Sequence, residues 1–426
     1  MTAAAPAADL RFNPDFRWYW LARVVSLTGS IVTLVAMPVL VYRLSGSAFL
    51  TAAVTGLEAA PYLLFGLVAG ALTDRWNRRR VMITADLLSA AVVASVPLAA
   101  WLGGLTVAHV LVAAFVVQAL FTFFDGANFG ALPVLVGRSR IASANAAVWG
   151  ASSVAEITVP SLAGVALAVV APATLLAVDA LSFVASALFL RAIARPLYDA
   201  SRRPPALTAA RLLSDIKEGV RFLVRHAGVR TMTVVGALQS MAGGGFVSLM
   251  VVWCDRVLGV GTSGWRFGWV FGSFSLGGLI AAVTLPRVLR RVDAAAVALR
   301  ALPVSALLGV ASAFAPSWQW ASAGLLVWGF GYTMVVVNSI SYRQEVTPEP
   351  LLGRVNTAGR VLAWGVGWTV GAFVGGVLGQ LIGVQYALAT MASITTLAVV
   401  VAWTSPLARR RKEIPGSSDA PERDFG

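Results

Sequence analysis

Long apolar segments alternate with short polar links along almost the whole chain. A stretch of about 20 apolar residues is long enough to cross a bilayer as a helix. The pattern therefore predicts an all-α membrane protein with twelve transmembrane helices. The predicted spans are 17–42, 49–73, 80–103, 106–135, 143–170, 173–194, 229–257, 265–287, 293–315, 318–342, 355–382 and 384–405.

The longest polar break, residues 195–228, divides the spans into two groups of six. It contains the linker-like stretch PLYDASRRPP and then RLLSDIKEGVRFLVRH, in which Leu212, Ile216, Val220 and Leu223 recur at helical spacing. This second stretch predicts an amphipathic helix on the inner leaflet. The expected domains are a six-helix bundle at 1–194, a cytoplasmic linker at 195–228, a second bundle at 229–408 and a cytoplasmic tail at 409–426.

The two groups of six spans share a weak internal repeat. Asn145 follows an arginine-rich link and begins span five, and Asn356 does the same for span eleven. The same offset aligns Gly164 with Gly375. Such a repeat favours two pseudo-symmetric bundles around a central cavity.

Composition narrows the class of protein. Hydrophobic residues make up 58% of the chain and charged residues 12%, which excludes an ordinary soluble domain. The net charge of +14 does not indicate nucleic-acid binding, because the arginines concentrate in alternate links between spans. Cytoplasmic links carry such an excess, so we expect a multi-pass protein of the inner (plasma) membrane with both termini cytoplasmic.

Residues that could support catalysis or metal binding are few. Cys254 is the only cysteine, and His109 and His226 lie far apart in the sequence. The glycine-rich stretch at 241–245 lacks the Lys-Ser/Thr pair of a phosphate loop. We expect no disulfide within the chain, no metal site, no cofactor and no enzymatic activity.

A short link at 70–80, GALTDRWNRRR, places an acid and four arginines between two apolar spans. It resembles the loop between helices two and three of the major facilitator superfamily, Gly-x-Leu-x-Asp-Arg-x-Gly-Arg-Arg. The second glycine is replaced by Asn77, which tolerates a left-handed turn. Six residues fall in register with the motif: Gly70, Leu72, Asp74, Arg75, Arg78 and Arg79.

The resemblance implies that this loop is a conformational latch. In the family, the acid docks on the start of helix eleven when the cytoplasmic side is shut. In this sequence the acid is Asp74 and its expected partner lies at 353–357. The arginines Arg75, Arg78 and Arg79 would bind acids or lipid phosphates. The alternative is a topology signal without a gating role.

Span five contains a second motif, SSVAEITVPSLAG. It resembles the antiporter motif Gly-x-x-x-Gly-Pro-x-x-Gly-Gly of the same superfamily. Pro160 and Gly164 match, whereas Val159 replaces the glycine before the proline. Pro160 would bend the helix, and Gly164 would allow close packing against a neighbour. A packing kink without a role in antiport fits equally well.

Three acids lie several turns inside predicted spans: Glu58, Asp125 and Glu156. A charge at the membrane centre costs about 2.5–3.5 kcal/mol on insertion scales, so each acid requires a partner or a function. We expect at least one to face the cavity and carry the driving proton. Asp125 and Glu156 are favoured because adjacent helices could place both on one aqueous wall. Snorkelling or loop pairing is expected for five further charged residues, Asp86, Asp179, Arg23, Arg300 and Arg360.

Aromatic residues within span eleven offer a possible substrate wall. Trp364 and Trp368 are four residues apart and share a helix face. They could line a cavity for a bulky apolar solute, although packing against lipid is an equal alternative.

The resemblance covers residues 14–405. Within the superfamily, the sequence is similar to the exporter branch that includes enterobactin-type siderophore exporters and macrolide efflux proteins. It implies export of small amphipathic molecules by alternating access in exchange for protons. We expect the protein to be a monomer in contact with membrane lipid. A dedicated siderophore exporter and a non-transporting receptor on the same scaffold are the alternatives.

Overall fold

The computed structural model describes residues 13–73, 75–137, 140–197, 209–348 and 351–408. Within these ranges all regular structure is helical. Asp74 of the loop motif, the first part of the linker and the tail at 409–426 lie outside the described residues.

Among the described residues, fourteen α-helices and one π-helical segment follow one another. Their bounds are α1 Pro14–Ser45, α2 Ala48–Thr73, α3 Arg78–Trp101, α4 Val107–Val136, α5 Ile141–Ala166, α6 Pro172–Ala192, α7 Ala209–Arg225, α8 Ala227–Arg256, α9 Trp265–Leu289, α10 Ala294–Ala313, α11 Trp318–Val346, α12 Leu352–Arg360, the π-helical segment Val361–Trp368, α13 Thr369–Leu381 and α14 Val384–Thr404.

All of these elements except α7 fall in the twelve predicted spans, with α12, the π-helical segment and α13 together forming the eleventh. Eleven described helices are long and apolar enough to cross a membrane, with Leu352–Leu381 counted as one. The twelfth, α5, is less apolar but packs between α1 and α9 as part of the bundle. The fold is the expected all-α membrane protein.

The helices form two bundles of six, α1–α6 and α8–α14, around a central cavity. Toward the end where α1 finishes and α8 finishes, one cluster of buried apolar residues continues through both bundles and includes Val39, Phe246 and Trp328. Toward the other end, each bundle has its own core, with Phe124 in the first and Leu302 in the second. The bundles are thus joined at one end and separate at the other.

The start of α3 differs from the sequence-based expectation. Asn77 has φ −67° and ψ 103°, so the predicted left-handed turn is wrong. Its side chain instead accepts a hydrogen bond from the backbone N–H of Arg80. Asn77 is therefore the N-cap of α3, a role that asparagine fills well and that the motif glycine cannot fill with a side chain.

The amphipathic helix α7 packs on protein as well as presenting a polar face. Leu223 is buried with Val229 and Val355, whereas Val220 is exposed. Leu223 therefore packs on protein, and the position of α7 on the inner leaflet stays a prediction. Glu218 pairs with Arg354 at the start of α12, so α7 is attached to the second bundle.

The eleventh span is not a uniform α-helix. Its middle, Val361–Trp368, is π-helical. Glycines allow this segment to pass close to its neighbours: a Cβ at Gly365 would lie 3.0 Å from Leu63 Cα, and one at Gly367 would lie 2.6 Å from the carbonyl oxygen of Ala237. A π-helical stretch inside a long helix often marks a functional region.

Candidate transport site

A cavity of about 2690 Å³ lies between the two bundles. It is lined by α1, α2, α4 and α5 on one side and by α8, α11, α12 and the π-helical segment on the other. It reaches Trp76 in the loop between α2 and α3 and Gly353 at the start of α12. We name this arginine-rich end of the molecule the open end and the opposite end the sealed end.

The sealed end is closed by direct contacts between the bundles. Tyr42 donates a hydrogen bond to Asp255 (2.7 Å), and Arg256 donates to the hydroxyl of Tyr42 (3.0 Å) and to the carbonyl of Gly46 (2.6 Å). Gln380 donates to the hydroxyl of Ser47 (3.2 Å). These polar contacts surround the apolar core that both bundles share.

Asp125 is the candidate acid that lines the cavity, and it meets the second bundle there. Its Oδ2 accepts a hydrogen bond from the hydroxyl of Tyr62 on α2 (2.8 Å) and lies 3.4 Å from the guanidinium of Arg360 on α12. Arg360 also donates to the Tyr62 hydroxyl, and its guanidinium lies over the rings of Tyr62 and Phe129, at 5.0 and 5.5 Å from their centroids. An acid of one bundle is thus paired with a base of the other.

The other two candidate acids lie outside the residues that line the cavity. Glu58 is half-buried one helical turn from Tyr62, toward the sealed end, and no hydrogen bond or ion pair to it occurs within the described residues. Glu156 is exposed two turns from Trp149, an α5 residue that does line the cavity. Asp125 and Glu156 therefore do not line one wall of the cavity in this structure, and the role of either acid in coupling stays a prediction.

The loop motif lies at the mouth of the cavity. Gly70, Arg75 and Arg78 line it, across from Gly353 and Thr357 of α12. The latch acid itself, Asp74, lies outside the described residues, so its docking on 353–357 stays a prediction.

Two motif arginines bind backbone carbonyls within the first bundle. Arg78 donates to the carbonyl of Gly130 on α4 (2.8 Å), and a Cβ at that glycine would lie 2.3 Å from the Arg78 guanidinium carbon. Arg79 donates to the carbonyl of Arg191 in the last turn of α6, where helix carbonyls lack intrahelical partners. These contacts hold the start of α3 against α4 and α6, a role that the sequence did not predict.

The span-five motif lies at the contact between α5 and α9. Gly264 donates its backbone N–H to the carbonyl of Gly164 (2.6 Å), and a Cβ at Gly164 would lie 2.7 Å from the Cα of Gly268. Pro160 is buried in the same helix, and its carbonyl faces Gly268. Close packing at Gly164 is thus a contact between the two bundles, at the sealed end.

Trp364 and Trp368 stack, with ring centroids 5.1 Å apart and planes 16° from parallel. Trp364 is half exposed and lines the cavity. Trp368 packs against Gly244 of α8 instead. One of the two tryptophans is therefore placed to touch a solute.

Several charged residues expected near span ends lie inside the protein. Arg360 and Arg23 line the cavity, and Asp86 and Asp179 are 2% and 0% exposed in the first bundle. Asp179 accepts a hydrogen bond from Thr33 on α1 (2.5 Å), so it does not snorkel. The positions of these residues along the predicted spans did not indicate their burial, because position along a helix does not show which face of the helix is buried.

Comparison with known proteins identifies the family. The family model described as transmembrane secretion effector matches residues 4–423. The chain is 28% identical over 352 residues to the multidrug efflux pump Tap of Mycolicibacterium fortuitum, covering 81% of this chain and 85% of that protein. It is 25% identical over 368 residues to the enterobactin exporter EntS of Escherichia coli, covering 84% of each.

The fold also matches solved structures. A bacterial homologue of the iron transporter ferroportin in an inward-facing state superposes with a TM-score of 0.73 at 16% identity, covering 93% of this chain and 98% of that chain. At that identity the likeness concerns the fold alone. The chain belongs to the transmembrane secretion effector family of the major facilitator superfamily, whose members are transporters and not enzymes.

Proposed function

We propose that the protein is a secondary active transporter that exports small amphipathic molecules by alternating access, in exchange for protons. The observation that carries the proposal is the contact of Asp125 with Tyr62 and Arg360, because it joins the two bundles at the cavity. A pair that bridges two rigid bodies can be made in one conformation and broken in another.

Protonation of Asp125 is the proposed coupling step. An ionised Asp125 attracts the Arg360 guanidinium and accepts the Tyr62 hydrogen bond. A proton on the carboxylate removes that attraction, and among the described residues Arg360 is then held to the first bundle only by Tyr62 and Phe129, so it can separate from that bundle more easily. Glu58 and Glu156 remain candidates for a further proton site, Glu58 because it lies on the same face of α2 as Tyr62.

Export is favoured over import by the family and by its named relatives. Tap and EntS are named as an efflux pump and an exporter. A dedicated siderophore exporter is the narrower alternative, and a non-transporting receptor would show ligand binding without gradient-driven flux.

The open end is proposed to be cytoplasmic, in the plasma membrane, with both termini on that side. The arginine-rich links lie at this end, and cytoplasmic links carry the positive excess. An alkaline phosphatase fused after Lys412 should then be inactive. Activity of that fusion would reverse the orientation.

Asp125→Asn tests the coupling step. The variant should fold and still bind solute, but substrate-driven proton movement in proteoliposomes should fall to background. Glu58→Gln and Glu156→Gln, measured beside it, should retain proton movement if Asp125 is the carrier. Normal pH-dependent exchange in all three variants would mean that the carrier lies elsewhere or that the coupling ion is not a proton.

A further inference from the structure

The charge of the cavity wall has one dominant sign. Among the described residues that line it, six are arginines and one is an acid, with no lysine, glutamate or histidine. The charged lining residues are Arg23, Arg75, Arg78, Arg195, Arg343, Arg360 and Asp125.

Most of these arginines already have partners. Arg195 lies 3.6 Å from Asp15, Arg360 lies 3.4 Å from Asp125, and Arg78 donates to the carbonyl of Gly130. Arg23 lies over the ring of Phe124 and interacts electrostatically with the buried Asp86. These contacts leave one deep arginine to account for.

Arg343 on α11 is 4% exposed and lines the cavity. Its Nε donates to the neutral side chain of Asn356 (3.1 Å), and no acid pairs with it within the described part of the chain. Arg360 is its charged neighbour, and the two repel. Gly359 makes room for the group, since a Cβ there would lie 2.1 Å from an Arg343 terminal nitrogen.

A buried, unneutralised guanidinium inside a membrane protein is costly unless a counter-charge reaches it. A planar guanidinium binds a carboxylate or sulfonate with two parallel hydrogen bonds. The same cavity presents the half-exposed or exposed rings of Phe129, Trp149 and Trp364. Rings beside a fixed positive charge suit a solute with a flat apolar body and one acidic group.

We propose that the cavity selects organic anions with an aromatic or apolar body, and that Arg343 binds their acidic group. This inference rests on the proposed transport function and names its substrate class. A bound anion near Arg343 also lies within reach of Arg360, where it competes with Asp125 for the same guanidinium. Substrate binding and protonation would then both break the Asp125–Arg360 pair.

The test compares two xanthene dyes of opposite charge, fluorescein and rhodamine 6G, by fluorescence anisotropy with the full-length protein in nanodiscs. Wild-type protein should bind the anion at least tenfold tighter than the cation. Arg343→Gln should weaken fluorescein binding about tenfold or more and leave rhodamine 6G binding unchanged or tighter. Arg287→Gln, an exposed arginine of α9 outside the cavity, is the matched control and should retain the wild-type ratio.

A wild-type preference for the cation would overturn the proposal, as would an undiminished anion preference in folded Arg343→Gln. If that variant does not fold, Arg343→Lys keeps the charge but not the paired donors and should bind the anion with intermediate affinity; an unchanged affinity would also count against the proposal. Flux separates the two claims. Gradient-driven export of rhodamine 6G alone would support the transport function and contradict the anion selectivity. Selective anion binding without any flux would support the anion selectivity and contradict the transport function.

Discussion

The two bundles meet differently at the two ends of the molecule. At the sealed end, glycine backbones and small polar groups bring the bundles into direct contact, and one apolar core continues through both. At the open end each bundle keeps its own core, and arginines face a wide cavity between them. Packing contacts and hydrogen bonds between two rigid bundles can be broken in one conformation and replaced by other contacts in a second. If the protein transports by the proposed alternating access, the sealed end must open and the open end must close for a solute to cross.

The largest effect is expected from a substitution that adds a side chain at the α5–α9 contact of the sealed end. Gly164→Val should prevent sealing, because its added atoms meet the backbone of Gly268, which cannot turn aside. Overpacking of this kind costs about 1–3 kcal/mol or more. Transport in proteoliposomes should fall more than tenfold in a folded protein.

Gly150→Val on the same helix is the matched control, since nothing lies within 4 Å of an added Cβ there. It should transport normally. Normal flux in Gly164→Val would mean that the contact is not part of the cycle.

A smaller effect is expected at the open end. Asp74→Asn removes the charge that would dock on the start of α12, where a carboxylate gains about 0.3–2 kcal/mol from the helix terminus in one conformation only. Flux should fall about tenfold at unchanged expression. Wild-type flux would reduce the loop to a topology signal.

The smallest effect concerns the polar rim of the sealed end. Tyr42→Phe removes the donor to Asp255 and an acceptor for Arg256 while keeping the ring. Loss of about 1 kcal/mol shifts the balance between the two conformations about fivefold toward opening of that end. A thiol probe at Ser47, in a background with Cys254 replaced, should react correspondingly faster; an unchanged rate would show that the rim adds nothing to sealing.

The sequence predicted the helices and the location of the loop motif well, because span length and charge alternation are local properties. It did not predict the partner of Asp125. Arg360 lies 235 residues further along the chain, and which residues share a cavity depends on how the bundles tilt. The π-helical segment also left no mark in the hydrophobic pattern, and the capping role of Asn77 became visible only from its backbone angles.

The sequence also did not predict the burial of Arg343. As one arginine near the end of a span, it reads as part of the positive excess. Its burial against Asn356 and Gly359 depends on the packing of α11 on α12, which no single span encodes.

The central claim is that the two ends open and close in opposition, and paired spin labels test it most directly. With Cys254 replaced by alanine, labels at Arg80 and Arg291 report on the open end, and labels at Leu102 and Phe314 report on the sealed end; all four positions are exposed. Electron–electron distances in wild type and Gly164→Val should differ in opposite senses, with the Arg80–Arg291 pair shorter and the Leu102–Phe314 pair longer in the variant. Lengthening at the sealed end with no shortening at the open end would contradict alternating access.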